Sequence, residues 1–210
     1  MLIESISNYS KRDIDQGKTP PNIYNLCSCI RETFCLSYSI RKINNLYLYF
    51  QKSHVLIKFE GDKLRYLGPD ERSQALLLQK ALNKVQIDMF NENKKWKKST
   101  PGIFVKKFID SSSFINFCSL IMQGKSFLII ENLQYVEEKV KDFTLNNNFI
   151  EIMENNFFII PTYFISKDNT YVIEKFKEMK NIKLISFSKI KGVQDKILYI
   201  NFRKDQQSKI

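Results

Sequence analysis

Two clusters in this chain have residue types and spacing that could do chemistry. The first is Gly68-Pro69-Asp70-Glu71-Arg72. Within one turn of a helix start it offers a carboxylate that could accept a proton, Glu71, and a guanidinium that could steady an anion, Arg72. The structural alternatives are plain. Carboxylates suit the positive end of a helix dipole, and Arg72 suits a salt bridge. The second cluster is Lys94, Lys95, Lys97 and Lys98 around Trp96, the single tryptophan. Lysines hold phosphates and an indole ring can stack on a base, so this pattern fits nucleic acid. A solvated loop with Trp96 as an inward anchor fits it equally. Arg31, Arg41 and Lys42 are further cations in the first third of the chain.

Other chemistry is thin. His54 is the only histidine, and the four cysteines (Cys27, Cys29, Cys35, Cys118) lack metal-ligand spacing. No metal site is expected, and most hydrolase constellations are excluded. There is no phosphate-cradling glycine loop. Reduced, buried thiols fit a cytoplasmic protein. No run approaches the roughly 18 apolar residues of a membrane span, and the opening residues are too polar for a signal peptide. Lys+Arg number 33 against 22 Asp+Glu, a net charge of +11. That excess favours an anionic partner, nucleic acid first.

The elements that must position these residues are legible. The 210 residues suit one domain, 1–210. A polar start with a short strand leads to Pro20-Pro21. Ile23, Leu26, Cys27, Ile30 and Phe34 recur at helical spacing over 23–37. Leu46–Phe50 and His54–Phe59 read as a hairpin or as neighbouring strands around Gln51-Lys52-Ser53. Gly61-Asp62 is a turn signal that would allow positive φ. Pro69 fits the first turn of a helix running to Val85, with Ala75, Leu78, Ala81, Leu82 and Val85 on one face. Residues 91–99 read as a charged loop and 103–106 as a short strand. Beyond lie a helix around Phe114–Ile121, a strand at 126–130, another at 157–160, a helix at 171–179 and a strand at 183–187. Residues 193–202 form a last helix or, through Ile197–Ile200, a strand. Alternation of short apolar strands with helices predicts an α/β fold with a mostly parallel sheet flanked by helices. Ligands in such sheets sit beyond the carboxyl ends of strands, here after Ile130, Ile160 and Phe187.

The run FEGDKLRYLGPDERSQALLLQKAL (Phe59–Leu82) with Trp96 and STPGIFV (Ser99–Val105) resembles the archaeal tRNA pseudouridine-54 N1-methyltransferases, a branch of the SPOUT superfamily. Gly61, Leu64, Pro69, Asp70, Glu71, Arg72, Trp96, Ser99, Thr100, Pro101, Gly102 and Ile103 stand at the family's motif positions. The resemblance implies a SPOUT-type fold with a C-terminal trefoil knot, S-adenosylmethionine as cofactor, tRNA as partner and a homodimer. It implies methyl transfer to a T-loop pseudouridine, or a catalytically inactive RNA-binding relative with a degenerate pocket. By position the cofactor would meet Ile160, Pro161, Thr162, Ser188, Lys189, Ile190 and Ile197. The RNA would meet Arg31, Arg41, Lys42, Arg72, Lys94, Lys95, Lys97 and Lys98. The chain departs from the family after its Phe157–Ile160 strand, where Pro161-Thr162-Tyr163 replaces glycine-containing sequence. It also lacks the arginine between the two cysteines, where Ser28 stands, and the histidine and cysteine of the last segment.

Overall fold

The structure is a computed structural model that describes residues 1–5, 7–87, 95–130, 140–144, 151–153, 155–162 and 170–207. The chain divides into two compact units, Ser5–Ile109 and a second made of Met1–Glu4 with Asp110–Ile210.

After strand β1 (Leu2–Ile3), which belongs to the second unit, the first unit carries helices α1 (Lys11–Asp15) and α2 (Pro21–Phe34). Strands β2 (Asn45–Phe50) and β3 (Val55–Glu60) follow, then helix α3 (Glu71–Ile87) and strands β4 (Lys97–Thr100) and β5 (Ile103–Lys107). The hydrogen-bonded order β2–β3–β5–β4 is antiparallel throughout. A single mostly parallel sheet was expected. The connections explain the difference, because a crossover between parallel strands needs a dozen residues or more. One turn of 3₁₀ helix with His54 at φ 52° joins β2 to β3, and Pro101-Gly102 joins β4 to β5. Leu48, Phe50, Val55, Ile57, Phe59, Ile103 and Val105 are buried on one face, where Phe34 of α2 meets Phe59 at a ring separation of 6.3 Å. Helix α3 buries Ala75, Leu78 and Ala81 as its periodicity predicts, with Leu82 and Val85 at the margin.

The second unit is α/β in the expected sense. It holds helix α4 (Ser111–Ile121), strands β6 (Ser126–Ile129), β7 (Lys141–Asp142) and β8 (Phe157–Ile159), helix α5 (Tyr171–Glu178), strand β9 (Ile182–Ser186) and helix α6 (Val193–Gln207). Its sheet is all parallel in the order β7–β9–β6–β8. Both faces of β6 are buried, which is why Ser126–Ile129 reads as a continuous apolar run after its first residue. The open choice at 193–202 resolves as helix. Val193, Ile197 and Ile200 are buried one turn apart, with Lys196 and Asn201 on the same face.

Three local readings are corrected. Pro69 lies outside α3 rather than in its first turn. Asp70 is the residue that caps the helix, accepting the Ser73 amide at 2.8 Å. Gly61 does not have positive φ. It is needed because a Cβ there would come within 2.6 Å of the Arg41 carbonyl oxygen. Residues 97–100, expected in a charged loop, form the edge strand β4, and lysines are the usual protection of such an edge. Cys27, Cys29 and Cys118 are buried and reduced as expected. Burial pushes the Cys27 and Cys118 thiols up to about 12, so both stay protonated at neutral pH.

Candidate cofactor cavity and RNA-binding surface

At the carboxyl ends of β6 and β9 the second unit carries an open cavity of about 540 Å³, lined by Ile130, Ser186, Phe187, Ser188, Ile190, Lys191, Gly192 and Lys196. This is where a parallel sheet places a ligand, and the volume lies within the ~300–1,000 Å³ of small-molecule sites. One wall is the loop after β9, and the loop after β7 holds it. Burial raises the Asp142 carboxyl, but hydrogen bonds from Ser188 and Thr144 outweigh it and leave the group below the usual carboxylate range. Asp142 accepts from the Thr144 amide at 2.8 Å, the Thr144 hydroxyl at 2.6 Å and the Ser188 amide at 3.3 Å. Thr144 Oγ1 accepts from the Lys189 amide at 3.2 Å, and the Ile190 amide donates to the Phe187 carbonyl at 3.0 Å. Three consecutive amides of the loop are thus engaged within the protein. For a ligand the loop has carbonyl oxygens and side chains left to offer. Helix α6 brings Lys196 to the same lining, a lysine 2% exposed on the apolar face of the helix.

Of the residues that position assigns to a cofactor, Ser188 and Ile190 line this cavity, with Lys189 between them. Ile197 is buried on α6 beside Lys196. Ile160, Pro161 and Thr162 are held differently. The Leu2 amide donates to the Ile160 carbonyl and the Thr162 amide donates to the Leu2 carbonyl, each at 3.0 Å. The Thr162 hydroxyl is buried with no hydrogen-bond partner among the described residues. Tyr163 and Phe164 lie outside the described residues. Sequence reasoning passed over Lys196, Asp142 and Thr144. The available signal was a lysine set within the stripe Val193, Ile197, Ile200.

In the first unit the two motif segments prove to be one joint. The Glu60 amide donates to the Gly102 carbonyl at 2.8 Å. Gly102 has φ 80°, and a Cβ there would lie within 2.6 Å of Leu64 Cα. The Thr-Pro-Gly-Ile turn and the Gly-x-x-Leu turn therefore require each other sterically. Downstream, Ser73 and Gln74 tie the chain ahead of α3. The Gly68 amide donates to Ser73 Oγ at 2.8 Å, and Gln74 Nε2 donates to the Gly68 carbonyl at 3.0 Å.

The cations fall in several places on this unit. Arg72 pairs with Asp15 at 2.9 Å and Arg31 with Glu32 at 3.0 Å. The Asp15 carboxylate answers the salt-bridge reading of Arg72. Glu71 opens α3. Lys42 is exposed beside the half-buried Arg41. Lys95 and Lys98 are exposed and Lys97 half-buried along the β4 edge, whereas Lys94 lies outside the described residues. Trp96 is half-buried with the Lys106 ammonium 5.9 Å from its ring centroid. Charge reversal of Lys95, Lys97 and Lys98 is expected to weaken RNA binding and to flatten its salt dependence by about 0.7–0.9 in log–log slope per lost phosphate contact. An unchanged slope in a salt titration would remove this edge from the RNA interface.

Residues 12–183 match the family model described as "Putative SAM-dependent RNA methyltransferase". The chain belongs to this family. That family lies in the SPOUT superfamily, and the chain is related to the archaeal tRNA pseudouridine(54)-N(1)-methyltransferases. It is 41% identical over 85 residues to the tRNA (pseudouridine(54)-N(1))-methyltransferase of Methanocaldococcus jannaschii, covering 39% of this chain and 42% of that protein. With the enzyme of the same name from Methanosarcina acetivorans it shares 39% over 124 residues, 56% of this chain and 54% of the relative. The Methanosarcina mazei enzyme shares 34% over 121 residues, 56% and 49%. The chain spans about half the length of the curated relatives it matches. Among the described residues no helix is long and apolar enough to cross a membrane, and no group of three or more His, Cys, Asp or Glu could hold a metal ion.

The family's cofactor is S-adenosylmethionine, and the cavity fits it chemically. Carbonyl oxygens of the 188–190 loop suit an adenine amine, Phe187 and Ile190 suit its apolar faces, and Lys191 and Lys196 supply cations for a carboxylate.

Proposed function

We propose that this protein transfers a methyl group from S-adenosylmethionine to N1 of a T-loop pseudouridine in tRNA. The observation that carries the reading is the cavity at the carboxyl ends of β6 and β9, in a chain whose family is S-adenosylmethionine-dependent. The cofactor supplies an electrophilic methyl group on a sulfonium. The chain binds and orients it through the loop after β9 and the first turn of α6. The proposal includes a trefoil knot in the second unit, a homodimer with a shared RNA cleft and a cytoplasmic location. Ile160, Pro161, Thr162, Ser188, Lys189, Ile190 and Ile197 are its cofactor residues. Glu71 and Arg72 remain its candidate catalytic pair.

One observation favours the second reading, a catalytically silent RNA-binding relative. Leu2 takes the Ile160 carbonyl and the Thr162 amide, so these two backbone groups after β8 are engaged within the protein and do not face a cofactor as free partners. Calorimetric titration with S-adenosylmethionine, with and without unmodified tRNA, separates the two. Micromolar binding is expected. tRNA binding with no cofactor binding in either condition would leave the silent relative.

A further inference from the structure

Two tyrosines stand out on the first unit. Tyr38 is 102% exposed and Tyr66 81%. Neither belongs to a helix or strand, and each is presented by a loop that the fold holds firmly. Tyr66 has φ 67°, a region that a bulky side chain enters only when its surroundings demand it. Ser73 Oγ donates to the Tyr66 carbonyl at 3.2 Å, and Gly68, two residues on, is held by Ser73 and Gln74. Tyr38 is the tip of a short turn. It is closed by Leu36 N–H to the Ser39 carbonyl at 2.9 Å and Arg41 N–H to the Phe34 carbonyl at 2.7 Å, with a bridge between Cys35 and Ile40. The two loops adjoin, since Cys35 Sγ lies 3.8 Å from the Gly68 carbonyl.

We propose that Tyr66 and Tyr38 form a stacking surface for unpaired RNA bases, with Arg41, Lys42 and Arg65 holding the neighbouring phosphates. The proposal rests on the RNA reading above and names the part of the RNA this face takes. Aromatic rings that accept bases must be exposed and pre-positioned, and cations must flank them for the backbone. The nearby carboxylates are partly committed elsewhere. Glu32 takes Arg31, Glu60 takes Lys63 and Asp70 caps α3, with Asp62 and Glu71 left in opposition. Exposed Leu36 and Ile43 on the same segment add apolar surface beside the rings. A paired stem buries its base faces, so this surface selects loops and unpaired segments.

The test uses the full chain without cofactor, with fluorescence anisotropy against a labelled T-arm hairpin RNA and against a blunt duplex of the same stem. Tyr38→Ala with Tyr66→Asn, asparagine being at ease at positive φ, is expected to bind the hairpin at least tenfold more weakly. The salt slope should not change and the duplex should be unaffected, and Tyr38→Phe with Tyr66→Phe should bind as wild type does. Arg41→Ala with Lys42→Ala should reduce the slope instead. Unchanged hairpin affinity in the first double variant would overturn the proposal. So would an equal loss on the duplex, or the loss of a dimer in light scattering with RNA affinity intact, which would give the face to a second copy of the chain. Failure of cofactor binding alone would remove the methyltransferase reading and leave this surface standing.

Discussion

Gly102→Ala is expected to lower stability by about 3 kcal/mol, a fall of roughly 6–12 °C in thermal midpoint for a chain of this size. Two costs combine. A Cβ at φ 80° costs about 1–2 kcal/mol in any L residue. The same Cβ would lie within 2.6 Å of Leu64 Cα and of the Lys63 carbonyl carbon, main-chain atoms that can yield only if the turn between β3 and α3 moves. Gly17 separates the two terms. It also has positive φ, at 68°, but nothing lies within 4 Å of its Cβ position. Gly17→Ala should therefore cost only about 1 kcal/mol. Equal losses in the two variants, measured by calorimetric melting, would show that the Gly102–Leu64 contact adds nothing.

That contrast bears on what the sequence could reveal. Periodicity located β2, β3, β5, β6, β8, β9, α3 and α5 to within a residue or two because burial enforces it directly, whereas α1, β4 and β7 went unread and α6 runs five residues further than its reading. Ile23, Leu26, Cys27, Ile30 and Phe34 are all buried, and the apolar run after Ser126 lies in the middle of its sheet. The motif residues were equally visible, but their physical reasons were not. Gly61 and Gly102 read alike as turn glycines. One is required by the crowding of three carbonyl oxygens, the other by positive φ against Leu64. A mostly parallel sheet was expected of the whole chain because periodicity carries no pairing information, although the hairpin reading of 46–59 holds. The short connections at 51–54 and 101–102 did carry it.

The candidate site was half legible for a similar reason. A rule about strand ends pointed to the loop after β9, and the cavity is there. The same rule pointed to Ile160–Thr162, whose backbone is instead engaged by Leu2 from the far end of the chain. No local pattern announces so distant a partner. Lys196 was missed because lysine is ordinarily taken as surface, though its place in the α6 stripe argued otherwise.

Lys196→Met is expected to weaken S-adenosylmethionine binding about 10- to 100-fold while leaving 5′-methylthioadenosine, which lacks the amino-acid tail, nearly unchanged. Lys196 lines a cavity whose other wall has its amides at 188, 189 and 190 engaged internally. The cofactor's carboxylate therefore needs a donor that this loop's backbone does not provide, and an ammonium on α6 can be that donor. A charge-assisted hydrogen bond contributes about 1.5–3 kcal/mol, which is the range of the expected loss. Methionine nearly matches lysine in length, and a thermal melt without ligand accompanies the titration, so that a loss of fold is told apart from a loss of binding. An equal loss for both ligands would make Lys196 a shaping residue of the cavity. No loss for either would put the carboxylate elsewhere, with Lys191 of the loop before α6 the other lysine lining the cavity.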